Sequence, residues 1–543
     1  MNIKSYSFLL VFCLPFSLLG QEENQFTRQD SLRGSITPER AWWDLTYYDL
    51  DVSISPDERF IEGTNTVHYT ATAPGEVLQI DLQPPMQLSG ATQDGKSLDI
   101  RKEGNAHFIS LKKKQKAGEK AKITLEFSGN PKVAVNAPWD GGFSWKQDGA
   151  GNPFIATSCQ GLGASVWWPN KDHMYDEPDS MAISLTVPEP LVGVANGRLI
   201  SKQVNGGMET YNWKVVNPIN NYGVNANVAN YVNFKDTYQG ENGQLDLDYY
   251  VLPENLDKAR EQFKQVPLML DAFEHWFGPY PFYEDSFKLV EVPYLGMEHQ
   301  SSVTYGNGYQ NGYRGYDLSG SGWGLKFDFI IIHEAGHEWF ANNITYKDAA
   351  DMWIHEGFTA YSENLYLDYH FGSEAAAAYV IGTRANIQND KPIIGQYDVN
   401  QEGSGDMYYK GANMLHTLRQ LIEDDDLWRS ILRGLNEEFY HKTVTTAQIE
   451  NYISKASGKD LSAFFNQYLR TTSIPVLEYQ QEGDELKFRY TGVVEDFDMP
   501  VRIFADGTEK WIFPDSQWKR EKLPGTAVQF DPNFYVDYRE AGK

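Results

Sequence analysis

The segment His333-Glu334-Ala335-Gly336-His337 constrains the fold of this 543-residue chain more than any other feature. It matches the pattern H-E-x-x-H and directly follows the apolar run Phe329 to Ile332. Residues four apart share one face of a helix, so both imidazoles can bind a single metal ion. Zinc in such a setting needs a third protein ligand and keeps a fourth position for water. The fold must therefore bring another ligand to this helix.

Glu356 is placed to be that ligand. It lies in Trp353-Ile354-His355-Glu356-Gly357-Phe358, at the start of a second helical pattern, with 18 residues between it and His337. That separation allows one helix, a turn and an antiparallel return that brings the carboxylate to the ion. Glu334 lies next to both histidines and could accept a proton from a metal-bound water, as a general base does.

The hydrophobic periodicity divides the chain into regions. Residues 41–250 show short alternating runs separated by turn residues, which is typical of an all-β domain. Residues 251–470 show helical spacing, interrupted by a Gly/Tyr-rich stretch at 305–324 that we expect to be a surface or site-rim loop. Residues 471–543 return to a strand pattern, and residues 21–40 are polar and expected to be loosely attached. We therefore predict a multidomain α+β protein.

The first twenty residues predict export. A basic start at residues 1–4 precedes the apolar run Phe8 to Leu19, which is too short to span a bilayer and reads as a cleaved signal peptide over residues 1–20. A buried N-terminal helix is the alternative. Removal of the signal peptide would take Cys13 with it and leave Cys159 as the sole cysteine, unable to form an internal disulfide. These features favour a periplasmic or extracellular protein, and no later stretch suggests a transmembrane segment in the mature chain.

Two kinds of binding are disfavoured. The formal net charge of −27 repels phosphate backbones, so we expect no nucleic-acid partner. The segment Gly90 to Ser97 fits the P-loop expression, but Leu98 to Arg101 after it alternate like a strand, where a P-loop requires a helix. Asp94-Gly95 is then a hairpin turn.

The metal-motif residues resemble those of the gluzincin aminopeptidases, the family of aminopeptidase N and leukotriene hydrolase (peptidase family M1). The resemblance implies that His333, His337 and Glu356 bind one Zn²⁺ and that Glu334 is the catalytic base. It also implies an N-terminal β-sandwich-like domain, a thermolysin-like, mainly helical catalytic domain and a small C-terminal β domain. The large helical C-terminal domain of many family members would not fit in the remaining residues.

A second group of motifs extends the resemblance to substrate binding. Leu295-Gly296-Met297-Glu298-His299 is similar to the family segment Gly-x-Met-Glu-Asn, which makes Glu298 the residue that binds the substrate's α-amine. Leu295 and His299 depart from that pattern, which puts substrate preference in doubt more than the reaction class. Gln160, in Ser158-Cys159-Gln160, resembles a second amine-binding residue.

Two more residues complete the predicted site. Tyr408-Tyr409-Lys410-Gly411 resembles the family's Tyr-x-Lys-Gly, so Tyr408 is expected to stabilise the oxyanion. Glu363 matches an acid that could orient a metal-bound histidine, with a solvated helix glutamate as the alternative. The resemblance implies a zinc metalloaminopeptidase acting on peptides with a free N-terminus. An epoxide hydrolase, an endopeptidase and a zinc-stabilised binding protein stay open, and the oligomeric state is not indicated.

Overall fold

The structure is a computed structural model that describes residues 26–542. The predicted signal peptide at residues 1–20 lies outside the described residues. Within the described range, no helix is long and apolar enough to cross a membrane.

The N-terminal part is built from three sheets around one buried core, which includes Leu50, Ile109 and Ile155. The largest sheet has eight strands, in the spatial order Arg198–Asn205, Met208–Val215, Ser180–Pro188, Trp43–Ser55, Phe60–Ala71, Lys120–Gly129, Gln87–Gln93 and Lys96–Ser97. The two smaller sheets consist of Gly75–Asp81, Ala106–Gln115 and Asp99–Glu103, and of Val192–Val194, Asn227–Ala229, Pro153–Ser158 and Gly142–Gln147. The predicted β-rich N-terminal domain is confirmed.

The polar segment before this domain is ordered, and the expectation of loose attachment is wrong for the described part. It forms the helices Arg28–Gly34 and Pro38–Ala41, and a capping box between Thr27 and Asp30 starts the first of them. Arg40 is fully buried and forms an ion pair of 2.6 Å with Asp81. Arg33 also pairs with Asp172 at 3.3 Å. The polar composition did not indicate this attachment because charged side chains make it with partners that are distant in the sequence.

The P-loop-like segment is a hairpin, as predicted. Gln87–Gln93 pairs with Lys96–Ser97, and the turn residues Asp94 and Gly95 both have positive φ, at 50° and 72°. This is the geometry of a tight hairpin turn, and no helix follows it.

A five-stranded sheet links the β-rich and helical parts. Its order is Val232–Gly240, Gly243–Val251, Phe287–Glu291, Val303–Tyr305 and Gly296–Met297. The first two strands fall within the range predicted for the N-terminal domain, yet Gly243–Val251 pairs in parallel with Phe287–Glu291. The short last strand carries the residues just before Glu298 to the edge of this sheet, beside the helices.

The helical part holds the metal motif. Its helices are Leu256–Gln262, Gln265–Phe277, Phe329–Gly336, Trp353–Phe371, Ser373–Gly382, Tyr409–Ile422, Asp425–Glu438, Thr446–Ser457 and Ser462–Arg470. We call Phe329–Gly336 the HExxH helix and Trp353–Phe371 the glutamate helix. Between them the chain makes a kinked turn over Glu338–Asn343, with non-helical backbone angles at Phe340 and Ala341, and then forms the strand Ile344–Tyr346, which pairs with Lys442–Val444. The prediction that a turn after the first helix leads into a second helix, which brings Glu356 back to the histidines, is confirmed.

Two small sheets form the C-terminal part. One consists of Lys519–Lys522, Glu485–Thr491, Val476–Glu482 and Asp537–Glu540, the other of Thr508–Ile512, Val501–Ala505 and Val528–Phe530. The Tyr468 hydroxyl donates to the carbonyl of Tyr535 at 2.7 Å, and Arg384 donates to the carbonyl of Pro532 at 2.8 Å. These bonds tie the C-terminal sheets to the helices, and the predicted multidomain α+β class is confirmed.

Candidate metal centre

The HExxH helix is short and buried, and a side chain caps its N-terminus. Asp328 is its N-cap, and its carboxylate accepts hydrogen bonds from the backbone N–H groups of Ile330 and Ile331. At its other end, a Cβ on Gly336 would lie 2.6 Å from Ser362 Oγ on the glutamate helix. The glycine therefore permits the close approach of the two helices that carry the predicted ligands.

Three donor atoms converge between these helices. His333 Nε2 lies 3.8 Å and His337 Nε2 3.4 Å from Glu356 Oε2. All three side chains are buried, and residues 26–542 offer no hydrogen-bond partner to Glu356 Oε2. A buried carboxylate oxygen without a partner is costly unless a cation meets it. Two imidazoles and a carboxylate form the donor set of a zinc site with an open position, so the residues fit such an ion.

The Nδ1 atom of each histidine is already hydrogen-bonded within the protein. His333 Nδ1 donates to Glu363 Oε1 at 2.7 Å, and the Tyr379 hydroxyl donates to the other oxygen of Glu363 at 2.5 Å. His337 Nδ1 donates to the carbonyl of Phe340 at 3.1 Å. Protons on both Nδ1 atoms leave both Nε2 lone pairs directed into the site. Glu363 is therefore a buried partner of His333 and not a solvated helix residue.

The predicted amine-binding residues meet at the same place. Gln160 Nε2 donates to Glu298 Oε1 at 2.7 Å and to Glu356 Oε1 at 2.8 Å. Glu298 is 3% exposed, and one of its oxygens lies within 4.8 Å of donor atoms of Glu334 and His337. No lysine or arginine is paired with Glu298 among the described residues. The site thus holds a buried carboxylate that a small cation could reach.

The two departures from the family segment lie in different surroundings. Leu295 lines the cavity, whereas His299 is buried with its Nδ1 3.3 Å from Thr304 Oγ1. A Cβ on Gly296 would lie 2.6 Å from Ile330 Cγ2 and 3.3 Å from Glu334 Cγ. Gly296, at the variable position of the family segment, is therefore the residue that lets this segment lie against the HExxH helix.

Burial and crowding of carboxylates determine the protonation of Glu334. Burial, together with the charges of Glu298 and Glu356, raises the pKa of its carboxyl to about 7, although His333 and His337 oppose the shift. A carboxyl with a pKa near neutrality can both accept and return a proton. In contrast, the two histidines lower the pKa of Glu356 against the effect of burial, so this carboxylate stays charged.

Tyr408 lines the same cavity, beside His333. Its ring stacks on that of His333, with the centroids 5.9 Å apart and the planes 20° apart. Burial raises the pKa of its phenol well above the usual value, and the charges of Glu356, Glu298 and Glu334 add to this. Tyr408 is therefore a protonated hydrogen-bond donor at any physiological pH.

The ligand set and the residues predicted for catalysis and amine binding line one cavity of about 660 Å³. They are Gln160, Glu298, His333, Glu334, His337, Glu356 and Tyr408. Its rim comes from three separate segments. Pro138 and Trp139 belong to the β-rich part, Tyr313 to the Gly/Tyr-rich loop, and Asp390 and Lys391 to the segment before Tyr408. The stretch at 305–324 thus contributes to the site rim, as expected.

Several residues at the site were not predicted. Thr359 Oγ1 lies 3.0 Å from His337 Nδ1, and the Asn342 amide donates to the main-chain carbonyl of Glu298 at 2.9 Å. The Tyr222 hydroxyl lies 3.4 Å from His355 Nδ1. Only His355, adjacent to Glu356 in the sequence, had a position that could have drawn attention to it.

Comparison with known proteins decides the family. The model of the Peptidase M1 N-terminal domain matches residues 45–222, and that of the Peptidase family M1 domain matches residues 262–468. The chain belongs to peptidase family M1. The M1 catalytic match includes the HExxH helix, the glutamate helix and Tyr408, and the N-terminal match includes Gln160 and ends at Tyr222.

Relatives within M1 are distant in sequence. "Probable aminopeptidase 1" of Sulfurisphaera tokodaii is 20% identical over 82% of this chain and 56% of that protein. "Aminopeptidase 2" of Candida albicans is 22% identical over 88% of this chain and 54% of that protein. The chain thus spans about half the length of these relatives. An M1 zinc metallopeptidase of Deinococcus radiodurans has a similar fold, with a TM-score of 0.67 and 21% identity, over 82% of this chain and 98% of that chain.

Proposed function

We propose that this M1 protein is a zinc-dependent aminopeptidase that removes the N-terminal residue of peptides. The observation that carries the proposal is the buried Glu298 carboxylate, which lies beside the ligand set and is paired with no lysine or arginine of the described part of the chain. A peptide's α-ammonium group would supply the missing positive charge. The matching relatives are named aminopeptidases, and the Deinococcus enzyme was crystallised with the peptide Tyr-Ser-Ala.

His333, His337 and Glu356 would hold the single zinc ion. When bound, zinc supplies Lewis acidity, which polarises the scissile carbonyl and acidifies the attacking water. Glu363, on His333 Nδ1, keeps the ring in the tautomer that presents Nε2. The carbonyl of Phe340 does the same for His337.

Other residues of the chain bind the substrate and transfer protons. Glu298 and Gln160 bind the α-amine, which fixes the first peptide bond beside Glu334. Glu334 takes the proton of the attacking water and returns it to the leaving amine, a task suited to a pKa of about 7. Tyr408 donates a hydrogen bond to the carbonyl oxygen as negative charge develops there.

Hydrolysis of paired substrates tests this function. Aminoacyl anilides and their N-acetyl counterparts are compared with the purified protein, with chelator, and with zinc restored. We expect zinc-dependent release from the free-amine substrates alone. Cleavage of the acetylated substrates would indicate an endopeptidase, and no release by zinc-loaded protein would favour a binding protein. A lipid epoxide assayed in parallel tests the alternative that the protein is an epoxide hydrolase.

We further propose that the protein is exported, to the periplasm or the exterior, after removal of residues 1–20. The basic start and the apolar run Phe8 to Leu19 support this. N-terminal sequencing of the protein from its native cells tests it. A mature chain that starts at Met1 would contradict the proposal.

A further inference from the structure

An exposed tryptophan lies at the mouth of the catalytic cavity. Trp139 is 59% exposed, and it lines the cavity together with Pro138, Gln160 and Gly161. Tryptophan carries one of the largest apolar side chains, and covering such a surface is favourable. Single exposed apolar residues are common on proteins, so exposure alone assigns no role. The role of Trp139 depends on how its loop is held and on what the cavity binds beside it.

The loop at residues 132–141, which we call the tryptophan loop, is closed by its own hydrogen bonds. The Asp140 carboxylate accepts a hydrogen bond from the backbone N–H of Val135. The backbone N–H of Trp139 donates to the carbonyl of Asn136 at 3.0 Å, which closes a turn. The indole is thus presented at the cavity by a turn that is fixed at both ends.

Strand pairing brings the tryptophan loop beside the amine-binding residues. Gly142, directly after the loop, pairs with Ser158, and antiparallel pairing places the residues before Gly142 next to those after Ser158. A Cβ on Gly141 would lie 2.9 Å from the Cβ of Leu162, so the loop and the segment after Ser158 are in contact. Gln160 lies in that segment. The tryptophan loop and Gln160 therefore share one wall of the cavity.

The opposite wall meets this one at Gly161. The Asn400 amide donates to the carbonyl of Gly161 at 3.1 Å, and Glu402 and Gly403, which follow Asn400 closely, line the cavity. The two walls touch at this bond. The end of the cavity beside Gln160 is therefore bounded, and a substrate side chain placed there lies between the two walls.

The other end of the cavity is aromatic and adjoins His333. The Phe329 ring stacks on that of His333 with the centroids 5.0 Å apart, and the Tyr313 ring meets the Phe329 ring at 5.3 Å. A peptide with its amine on Gln160 and Glu298 and its first carbonyl at the ligand set runs towards this aromatic end. The side chain that it leaves at the Gln160 end is that of its first residue.

We propose that Trp139 is a specificity-determining residue that packs against the side chain of the substrate's first residue and favours large apolar side chains there. The inference rests on the proposed aminopeptidase function and names its substrate class. The indole offers a flat apolar surface that a leucine or phenylalanine side chain covers and that an alanine methyl group is too short to cover. A tryptophan with a surface role alone would leave the selection among first residues unchanged.

Aminoacyl anilides that differ in the first residue measure this selection. The value of kcat/KM for the leucyl or phenylalanyl anilide, divided by that for the alanyl anilide, reports the first residue alone, because the leaving group is the same. The unaltered protein should favour the two large residues. In Trp139→Ala we expect this ratio to fall about tenfold, with kcat/KM for the alanyl anilide within about twofold of the original. Trp139→Phe should restore most of the ratio, since it keeps an aromatic surface.

Two variants are matched controls. Trp518→Ala removes a tryptophan that is 42% exposed in the C-terminal part, outside the lining of the cavity. Val135→Ala changes the tryptophan loop at a side chain that is 91% exposed and likewise outside the lining. Both should keep the ratio of the unaltered protein. An arginyl anilide is assayed with Glu402→Gln, because selection of a basic residue by this carboxylate is the alternative at the same end of the cavity.

The outcomes separate this inference from the function on which it rests. No release from any free-amine anilide by the zinc-loaded, unaltered protein would overturn the proposed function and the inference together. Zinc-dependent release with an unchanged ratio in Trp139→Ala would overturn the inference alone. An equal fall for all anilides would also overturn it, because this indicates a structural role. A preference for the arginyl anilide that disappears in Glu402→Gln would overturn the apolar substrate class.

A pair of dipeptides tests the assignment to the first residue. Alanyl-alanine amide and alanyl-phenylalanine amide differ at the second residue, so the ratio of their kcat/KM values should be the same in Trp139→Ala and in the unaltered protein. A change in this ratio with none among the anilides would place Trp139 against the second residue and overturn the proposal.

Discussion

Replacing Glu363 by Gln should weaken zinc binding without removing a ligand. Glu363 is 1% exposed and accepts the 2.7 Å hydrogen bond from His333 Nδ1, so the bond is buried and charge-assisted. Hydrogen bonds to charged groups contribute about 1.5–3 kcal/mol, which corresponds to roughly 10- to 150-fold in an equilibrium constant. Losses of about 10- to 100-fold are typical when the partner of a metal-bound histidine is changed. We therefore expect the Kd for zinc to rise by about 10- to 100-fold.

Competition with a chromophoric chelator measures this Kd directly. Glu374→Gln is the control, because Glu374 is an exposed glutamate in the helix after the glutamate helix and makes the same change of charge. It should leave the Kd unchanged. A folded Glu363→Gln protein with a Kd within threefold of the original would refute the argument that Glu363 orients His333.

Three further substitutions test other parts of the site. Glu334→Gln should lower kcat by about 10²- to 10⁴-fold with zinc content unchanged, since it removes only the proton acceptor; retained turnover would exclude Glu334 as the base. Tyr408→Phe should lower kcat by about 10²- to 10³-fold with little change in KM, and a change confined to KM would contradict an oxyanion role. Gly296→Ala should destabilise the protein by about 1–3 kcal/mol, seen in calorimetry as a lower Tm, because its Cβ would meet Ile330. Gly405→Ala is its control, because a Cβ there would have no atom of the described residues within 4 Å apart from its chain neighbours.

The metal ligands were predictable because their geometry is mostly local. A four-residue spacing on one helix and a return over 18 residues limit where Glu356 can lie, and the structure brings the three side chains together. Glu363, seven residues further along the glutamate helix, was suggested only by the family resemblance, and spacing alone left a solvated glutamate as the alternative. By contrast, Tyr222 reaches His355 across 133 residues of sequence. No periodicity or short motif encodes such a contact, because it depends on how two separately built parts of the protein pack.

The fold shows the same division between local and long-range information. Alternation and helical spacing predicted the β-rich, helical and C-terminal β parts. The strands Val232–Gly240 and Gly243–Val251 look like any other hairpin in the sequence, but they extend the sheet that contains Phe287–Glu291. Parallel pairing between distant strands leaves no mark on local alternation. The burial of Arg40 against Asp81 is similarly invisible until both partners are placed.

The most direct test of the central claim is the product pattern from one unmodified peptide. The zinc-loaded protein is incubated with a peptide of about eight residues and with its N-acetylated form, and the products are followed by mass spectrometry. We predict stepwise loss of single residues from the free N-terminus, no change in the acetylated peptide, and no products after zinc is removed. Cleavage at an internal bond, or equal cleavage of both peptides, would contradict the assignment of Glu298 to the substrate's amine and with it the proposed aminopeptidase.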